Sequence, residues 1–169
     1  MQAGMFDQDA DRDACGAGFA PAGGQSRIMG LDVGEARIGV ALSDPLGLTA
    51  QPLLVLEREC EETDLHRLRE LVEAHGVGAA VVGMPISLRG TEGPAQERMR
   101  EFVRALADAL PVPVVTWDER LSTVEAQRRM RAGGESQRSQ RGVVDKVAAG
   151  IILQSYLDAH RNRRATEGS

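Results

Sequence analysis

The chain has 169 residues, of which 42% are hydrophobic, and a formal net charge of −5 at pH 7. These values are typical of one globular domain with a sizeable core, and they exclude a disordered chain. No apolar run approaches the ~20 residues that a membrane-spanning helix needs. The N-terminus lacks the basic and apolar regions of a secretory signal, so we expect a cytoplasmic protein without a membrane partner.

Residues 1–26 are rich in Gly, Ala and Asp and show no hydrophobic periodicity, which predicts a flexible N-terminal tail. We expect a single folded domain over residues 27–161 and a C-terminal tail over 162–169. The two cysteines, Cys15 and Cys60, fit neither a metal-binding spacing nor a disulfide framework, so both are predicted to be free thiols.

Hydrophobic patterning predicts five strands, at about Ile28–Val33, Arg37–Ser43, Leu53–Glu57, Ala79–Gly83 and Val112–Trp117. Helices are predicted at about Glu62–His75, Pro94–Leu110, Ser122 to Gly133 and Val143–His160, with a polar loop over Glu135–Gly142. Three strands joined by tight turns, followed by alternating helices and strands, predict an α/β domain. Its mixed five-stranded sheet has three antiparallel strands, then two parallel strands, and is flanked by helices.

Asp32 is a lone carboxylate in a run that is otherwise typical of a buried strand. Such a carboxylate is costly to bury unless a cation lies beside it. The fifth strand ends at Asp118 and Glu119, and the carboxyl ends of parallel strands meet at one edge of the sheet. Asp145, predicted one turn into the last helix, has the freedom to point its carboxylate at the same edge.

Oxygen ligands without a His or Cys cluster favour Mg²⁺ or Mn²⁺ over zinc. Two such ions about 4 Å apart would bind both the attacking water and the leaving oxygen of a phosphoryl displacement. The candidate catalytic and metal-binding residues are therefore Asp32, Asp145 and one or both of Asp118 and Glu119.

The last third of the chain is basic although the whole chain is acidic. Between Arg120 and Arg164 ten basic residues stand against four acidic ones. Clustered arginines indicate a phosphate-binding face, with a solvated helix surface as the alternative. The predicted nucleic-acid contacts are Arg37, Arg120, Arg128, Arg131, Arg138, Arg141 and Lys146.

Several motifs, in order, resemble the YqgF/RuvX family over about residues 28–160. They are Gly30-x-Asp32-x-Gly34-x-x-Arg37-Ile38-Gly39-Val40-Ala41-x-Ser43-Asp44, Val81-Val82-Gly83-Met84-Pro85, Asp118-Glu119-Arg120-Leu121-Ser122-Thr123 and Val144-Asp145-Lys146. Ser122-Thr123 stands where many members have Thr-Thr, and the segment before Asp145 is short of Lys.

The resemblance implies an RNase H-like fold related to Holliday junction resolvases. It also implies divalent-metal nuclease chemistry with acidic ligands at Asp32, Glu119 and Asp145, and a role in maturing the 5′ end of pre-16S rRNA. The expected partners are branched DNA, pre-16S rRNA or both. A resolvase cuts two strands symmetrically, which favours a homodimer.

Each candidate residue also has a structural interpretation. Asp32 would serve a turn or helix cap, Glu119 a surface ion pair with Arg120, and Asp145 a favourable interaction with the helix dipole. Asp44 is expected to be an Asx-type turn residue. Trp117 is expected in the core, with base stacking as the alternative. The loop over Met84–Gly93 is either a mobile substrate flap or an ordinary surface loop.

Two other functions compete with the nuclease hypothesis. A non-catalytic RNA-binding or ribosome-associated module would bind RNA with strong salt dependence but would not cut it. An actin-like nucleotide-binding ATPase also begins with a strand, Asp-x-Gly and a hairpin, but it usually needs two such lobes.

Overall fold

The computed structural model describes residues 26–85, 93–121 and 138–167. Its five strands are β1 (Arg27–Val33), β2 (Arg37–Ser43), β3 (Ala50–Glu57), β4 (Val77–Met84) and β5 (Val114–Asp118). They form one sheet in the order β3-β2-β1-β4-β5. β1, β2 and β3 pair antiparallel, whereas β4 pairs parallel with β1 and β5 pairs parallel with β4. The predicted mixed sheet is confirmed.

Three helices lie in the described part of the chain: α1 (Glu61–His75), α2 (Pro94–Ala109) and α3 (Arg138–Glu167). A short 3₁₀ helix, Glu119–Leu121, follows β5. Gly76 ends α1 in the left-handed conformation at φ 63°, as its position after the apolar stripe predicts. None of these helices is long and apolar enough to cross a membrane.

The sheet is buried on both faces because alternate residues of each strand pack against different helices. One face carries Met29, Leu31 and Val33 of β1 into a core that α1 and α2 complete with Leu68 and Phe102. The opposite face packs against α3 through a second core, which includes Ile28, Ala41, Val81, Trp117, Ile152 and Leu153. Gly30 and Asp32 occupy the alternate positions of β1, so their side of the strand faces α3 rather than α1 and α2.

α3 lies close to the sheet because glycines occupy the strand positions beneath it. A Cβ atom added to Gly39 would lie 2.1 Å from the main-chain oxygen of Asp145. Added at Gly30 or Gly83, it would lie 2.6 Å from Leu153 Cβ or 2.5 Å from Ile152 Cδ1. Glycine inside a strand often marks such a close approach, and here it seats the helix on three neighbouring strands.

Trp117 is buried where β5 meets α3. Its indole N–H donates to Ser155 Oγ at 3.3 Å, and its ring meets the Tyr156 ring edge-on with centroids 5.5 Å apart. The Tyr156 ring stacks on His160 with a centroid distance of 4.1 Å. The expected core location of Trp117 is confirmed.

Two predicted boundaries of α3 are wrong. The helix begins at Arg138, so the polar loop predicted over Glu135–Gly142 extends too far, and Asp145 lies two turns inside the helix rather than one. It continues to Glu167, beyond the predicted end at about His160, whereas the C-terminal tail over 162–169 stays a prediction. Helical turns that extend beyond the core are polar all round, so no apolar stripe in the sequence indicates where such a helix begins or ends.

Strand boundaries differ by a few residues. β3 begins at Ala50 and includes Pro52, which an edge strand tolerates, and the β2–β3 register shifts between Val40 and Ala41. The predicted N-terminal tail, the helix from Ser122 and most of the Met84–Gly93 loop lie outside the described residues.

Candidate active site at the carboxyl end of the sheet

Asp32 occupies a buried position near the end of β1. The residue is only 4% exposed and faces α3, as Gly30 does two residues before it. Its antiparallel partner on β2 is Gly39, the residue against which the main chain of Asp145 is seated. Pairing with β2 therefore fixes the main chain that carries this carboxylate.

Glu119 is buried directly after the carboxyl end of β5. It follows β5 in the 3₁₀ helix, is 3% exposed, and shares the α3-facing alternation of Val115 and Trp117. Its Oε1 atom lies 3.1 Å from the place that a Cβ atom of Gly83 would occupy. Gly83 is one residue beyond the register pair of Leu31 and Val82, so Glu119 reaches over β4 towards the strand of Asp32.

Asp145 approaches the same edge from α3. The contact of its main chain with Gly39 places it above β2. Its side chain is 32% exposed, and Oδ2 lies 4.0 Å from Nη1 of Arg37. Arg37 in turn donates from Nε to Glu57 Oε1 at 2.9 Å, so an ion-pair chain runs from the end of β3 to Asp145.

The three predicted carboxylates thus lie on the α3-facing side of the sheet, near the carboxyl ends of its parallel strands. Within residues 26–85, 93–121 and 138–167, no three His, Cys, Asp or Glu side chains lie close enough together to hold a metal ion. The three-carboxylate metal site stays a prediction.

Asp118 forms an ion pair with Arg120. The Asp118 carboxylate accepts bonds from Arg120 Nε at 2.9 Å, Nη2 at 2.6 Å and the main-chain N–H at 2.9 Å. Burial raises the pKa of Asp118, but the hydrogen bonds and charge of Arg120 outweigh it and hold the pKa below its usual value. The interpretation of Glu119 as a surface residue is wrong, since its side chain is buried.

The predicted nucleic-acid contacts are described only in part. Arg37, Arg120 and Lys146 are described, and Lys146 is half-buried beside Asp145 on α3. Arg138 and Arg141 lie in the first turns of α3, but their side chains are outside the description, as are Arg128 and Arg131 altogether. The basic face stays a prediction.

Asp44 forms the expected Asx-type turn after β2. Its carboxylate accepts main-chain bonds from Thr49 and Leu48 at 2.7 Å and from Leu46 at 3.0 Å. The bond from Thr49 contributes most to holding the pKa of Asp44 below its usual value. Asp44 therefore has a structural role.

Gly39 and Gly83 position the candidate site, but the sequence analysis did not single them out as contact points. The available signal was their occurrence inside strands, where glycine is otherwise unfavourable. Arg58 and Asp64 lie beside the opposite face of β1. The sequence does not single them out, because Arg58 looks like an ordinary charged residue before a helix and Asp64 like an ordinary acidic residue in the first helical turn.

A family model described as RuvX, Holliday junction resolvase, matches residues 26–159. The chain belongs to this family. A relative from Symbiobacterium thermophilum, named "Putative pre-16S rRNA nuclease", is 53% identical over 81% of this chain and 95% of its own length. A relative of the same name from Halothermothrix orenii is 49% identical over 78% of this chain and 94% of its own.

The fold of this RuvX-family chain is also that of a solved RuvC structure. The structure of T. thermophilus RuvC in complex with a Holliday junction substrate matches with a TM-score of 0.50 and 19% identity. The match covers 80% of this chain and 96% of RuvC. The predicted RNase H-like fold and the nuclease assignment are confirmed, and nucleases of this fold generally use divalent metal ions.

Proposed function

We propose that this nuclease hydrolyses phosphodiester bonds of structured nucleic acid with divalent ions bound by Asp32, Glu119 and Asp145. The supporting observation is the burial of two carboxylates, Asp32 and Glu119, at the same sheet edge on the face covered by α3. The main chain of Asp145 is seated against Gly39, the strand partner of Asp32.

The chemistry of these donors fits a hard divalent cation. Buried carboxylates are costly unless a positive charge compensates them, and carboxylate oxygens are the ligands that Mg²⁺ and Mn²⁺ prefer. We propose two ions, Mg²⁺ or Mn²⁺, which when bound supply an activated water and stabilise charge on the phosphate. The chain contributes ligand positions set by a central strand, a strand end and a helix.

Positive side chains beside this edge favour a polyanionic substrate. Arg37 is part of the ion-pair chain that reaches Asp145, and Lys146 follows Asp145 on α3. Contacts of this kind with phosphates fix the position of a nucleic acid without reading its sequence. We propose that Arg37, Arg120, Arg128, Arg131, Arg138, Arg141 and Lys146 form this contact surface.

We propose the 5′ region of pre-16S rRNA as the substrate because relatives near 50% identity over nearly their whole length carry that name. Four-way DNA junctions are the second candidate, favoured by the description of the family model. Junction resolution would require a homodimer, because two strands are cut symmetrically.

The decisive experiment compares cleavage of a pre-16S rRNA fragment and of a four-way junction, each with Mg²⁺, Mn²⁺ or a chelator. We expect metal-dependent cleavage of the RNA by the wild-type chain and a loss of about 10²-fold or more in Asp32→Asn. Asp158→Asn is the matched control, because Asp158 is an exposed carboxylate on α3 that pairs with Arg161.

Full-rate cleavage by Asp32→Asn would contradict the proposed catalytic site. Junction cleavage without RNA cleavage, together with a dimer mass in solution, would support the second substrate. Salt-dependent RNA binding without metal-dependent cleavage of either substrate would instead support the non-catalytic binding module.

A further inference from the structure

Arg58 connects the turn that follows Asp32 to two helices on the opposite face of the sheet. It is the first residue after β3, and its Nη1 donates to the main-chain oxygen of Gly34 at 2.9 Å. Its Nε donates to Asp64 Oδ2 at 3.0 Å, and its guanidinium lies 4.6 Å from the centre of the Phe102 ring. One side chain thus joins the β1–β2 turn, α1 and α2.

Asp64 anchors this connection. It is 1% exposed in the first turn of α1, and its second carboxylate oxygen accepts the main-chain N–H of Glu59 at 3.1 Å. A carboxylate buried to this degree requires a cationic partner. Arg58 supplies the charge and keeps a second N–H for Gly34, because the planar guanidinium donates in several fixed directions.

Besides Arg58, the β1–β2 turn is held on this side by an exposed ion pair, in which Arg98 Nη2 of α2 lies 3.6 Å from Glu35 Oε1. A cavity of about 780 Å³ lies against the turn, lined among others by Val33, Gly34, Arg58, Asp64 and Phe102. Val33 and Gly34 directly follow Asp32, so movement of this turn into the cavity would carry the end of β1 with it. The main-chain N–H of Arg58 also donates to the oxygen of Ala36 at 2.9 Å, which gives the turn a second link to the same residue.

We propose that Arg58 is a positioning residue for the nuclease reaction: it holds the β1–β2 turn, and through it the Asp32 carboxylate, in place for metal binding. This inference rests on the proposed function of Asp32. Arg58 lies on the face opposite α3, so its side chain acts on Asp32 through the main chain of Gly34.

The test is Arg58→Lys, with Arg67→Lys as the matched control. An ammonium group keeps the charge beside Asp64 but lacks the fork that reaches Gly34 at the same time. Arg67 also donates to a main-chain oxygen, that of Glu57 at 3.2 Å, and pairs with Glu59, but it does not contact the turn.

For Arg58→Lys we expect kcat to fall about tenfold, because misplaced catalytic groups lose rate steeply, while KM for nucleic acid stays unchanged. The half-saturating Mg²⁺ concentration, measured by calorimetry without substrate, should rise about tenfold, as it does when support of a ligand is lost. Hydrogen exchange of the Gly34 amide, which donates to Arg37 O at 2.8 Å, should become faster. Arg67→Lys should change none of these.

Equal kcat, Mg²⁺ titration and Gly34 exchange in the two variants would overturn the inference. So would a loss of kcat that tracks thermal stability and is fully restored on cooling. If Arg58→Lys is unstable, the double variant Arg58→Gln with Asp64→Asn removes both charges and repeats the comparison.

The outcome also separates this inference from the proposed function. If the wild-type chain cleaves neither substrate, the proposed function fails, and Gly34 exchange alone decides the role of Arg58. Faster exchange in Arg58→Lys alone then supports the link to the turn, and equal exchange contradicts it.

Discussion

Gly39→Ala tests whether the seat of α3 on β2 controls the candidate site. The new Cβ atom would lie 2.1 Å from the main-chain oxygen of Asp145 and 2.5 Å from its carbonyl carbon. Real Cβ atoms essentially never approach closer than 3.0 Å, so the helix has to move by about 1 Å. Overpacking of this kind costs about 1–3 kcal/mol of stability, and a misplacement of about 1 Å in a catalytic group costs on the order of 10²-fold in rate.

The assay combines urea unfolding followed by circular dichroism with metal-dependent cleavage at a temperature where the variant is folded. Gly150→Ala on α3 is the control, because its added Cβ would meet Pro52 at an ordinary 3.4 Å and alanine raises helix propensity by about 1 kcal/mol. We expect Gly39→Ala to lose both stability and activity and Gly150→Ala to lose neither. Unchanged stability and full cleavage in Gly39→Ala would refute the reasoning.

Three further predictions concern single side chains. Asp44→Ala should lower the free energy of unfolding by about 1–2 kcal/mol through its lost hydrogen bonds. Because the pKa of Asp44 is lowered in the folded state from 3.8, this difference should be largest above pH 3.8 and decrease as pH falls through the folded pKa, measured by urea unfolding at several pH values. Mg²⁺ should raise the melting temperature of the wild-type chain but not that of Asp32→Asn, because an ion bound only by the folded state stabilises that state; an equal rise in both chains would contradict this. Lys146→Ala should weaken RNA binding and reduce the slope of log K against log salt by about 1, measured by fluorescence anisotropy.

The sequence predicts the sheet well because its patterns are local. Near-continuous apolar runs mark β1 and β4 as strands buried on both faces. Tight turns before β2 and β3 allow little except antiparallel pairing, and the crossover helices require parallel neighbours. The burial of Asp32 follows from the same pattern, since a carboxylate in such a strand has no route to solvent.

The parts that sequence analysis misses depend on contacts distant in the chain. The first turns of α3 are polar and carry Gly142, so no apolar stripe marks the helix start at Arg138. Asp118 and Glu119 are adjacent carboxylates, and strand alternation, not residue type, directs Glu119 into the interior and leaves Asp118 to Arg120. The link from Arg58 to Gly34 spans 24 residues, and no spacing rule anticipates it.

The contact of Trp117 with α3 gives the molecule a built-in optical reporter. Trp117 is the single tryptophan of the chain, and it lies against Ser155 and Tyr156 of the helix that also carries Asp145. Its emission therefore senses whether α3 is docked on the sheet, whereas the core beneath α1 and α2 contains no indole. Stopped-flow fluorescence on mixing with Mg²⁺ or RNA thus follows the α3 side of the protein selectively, without an added label.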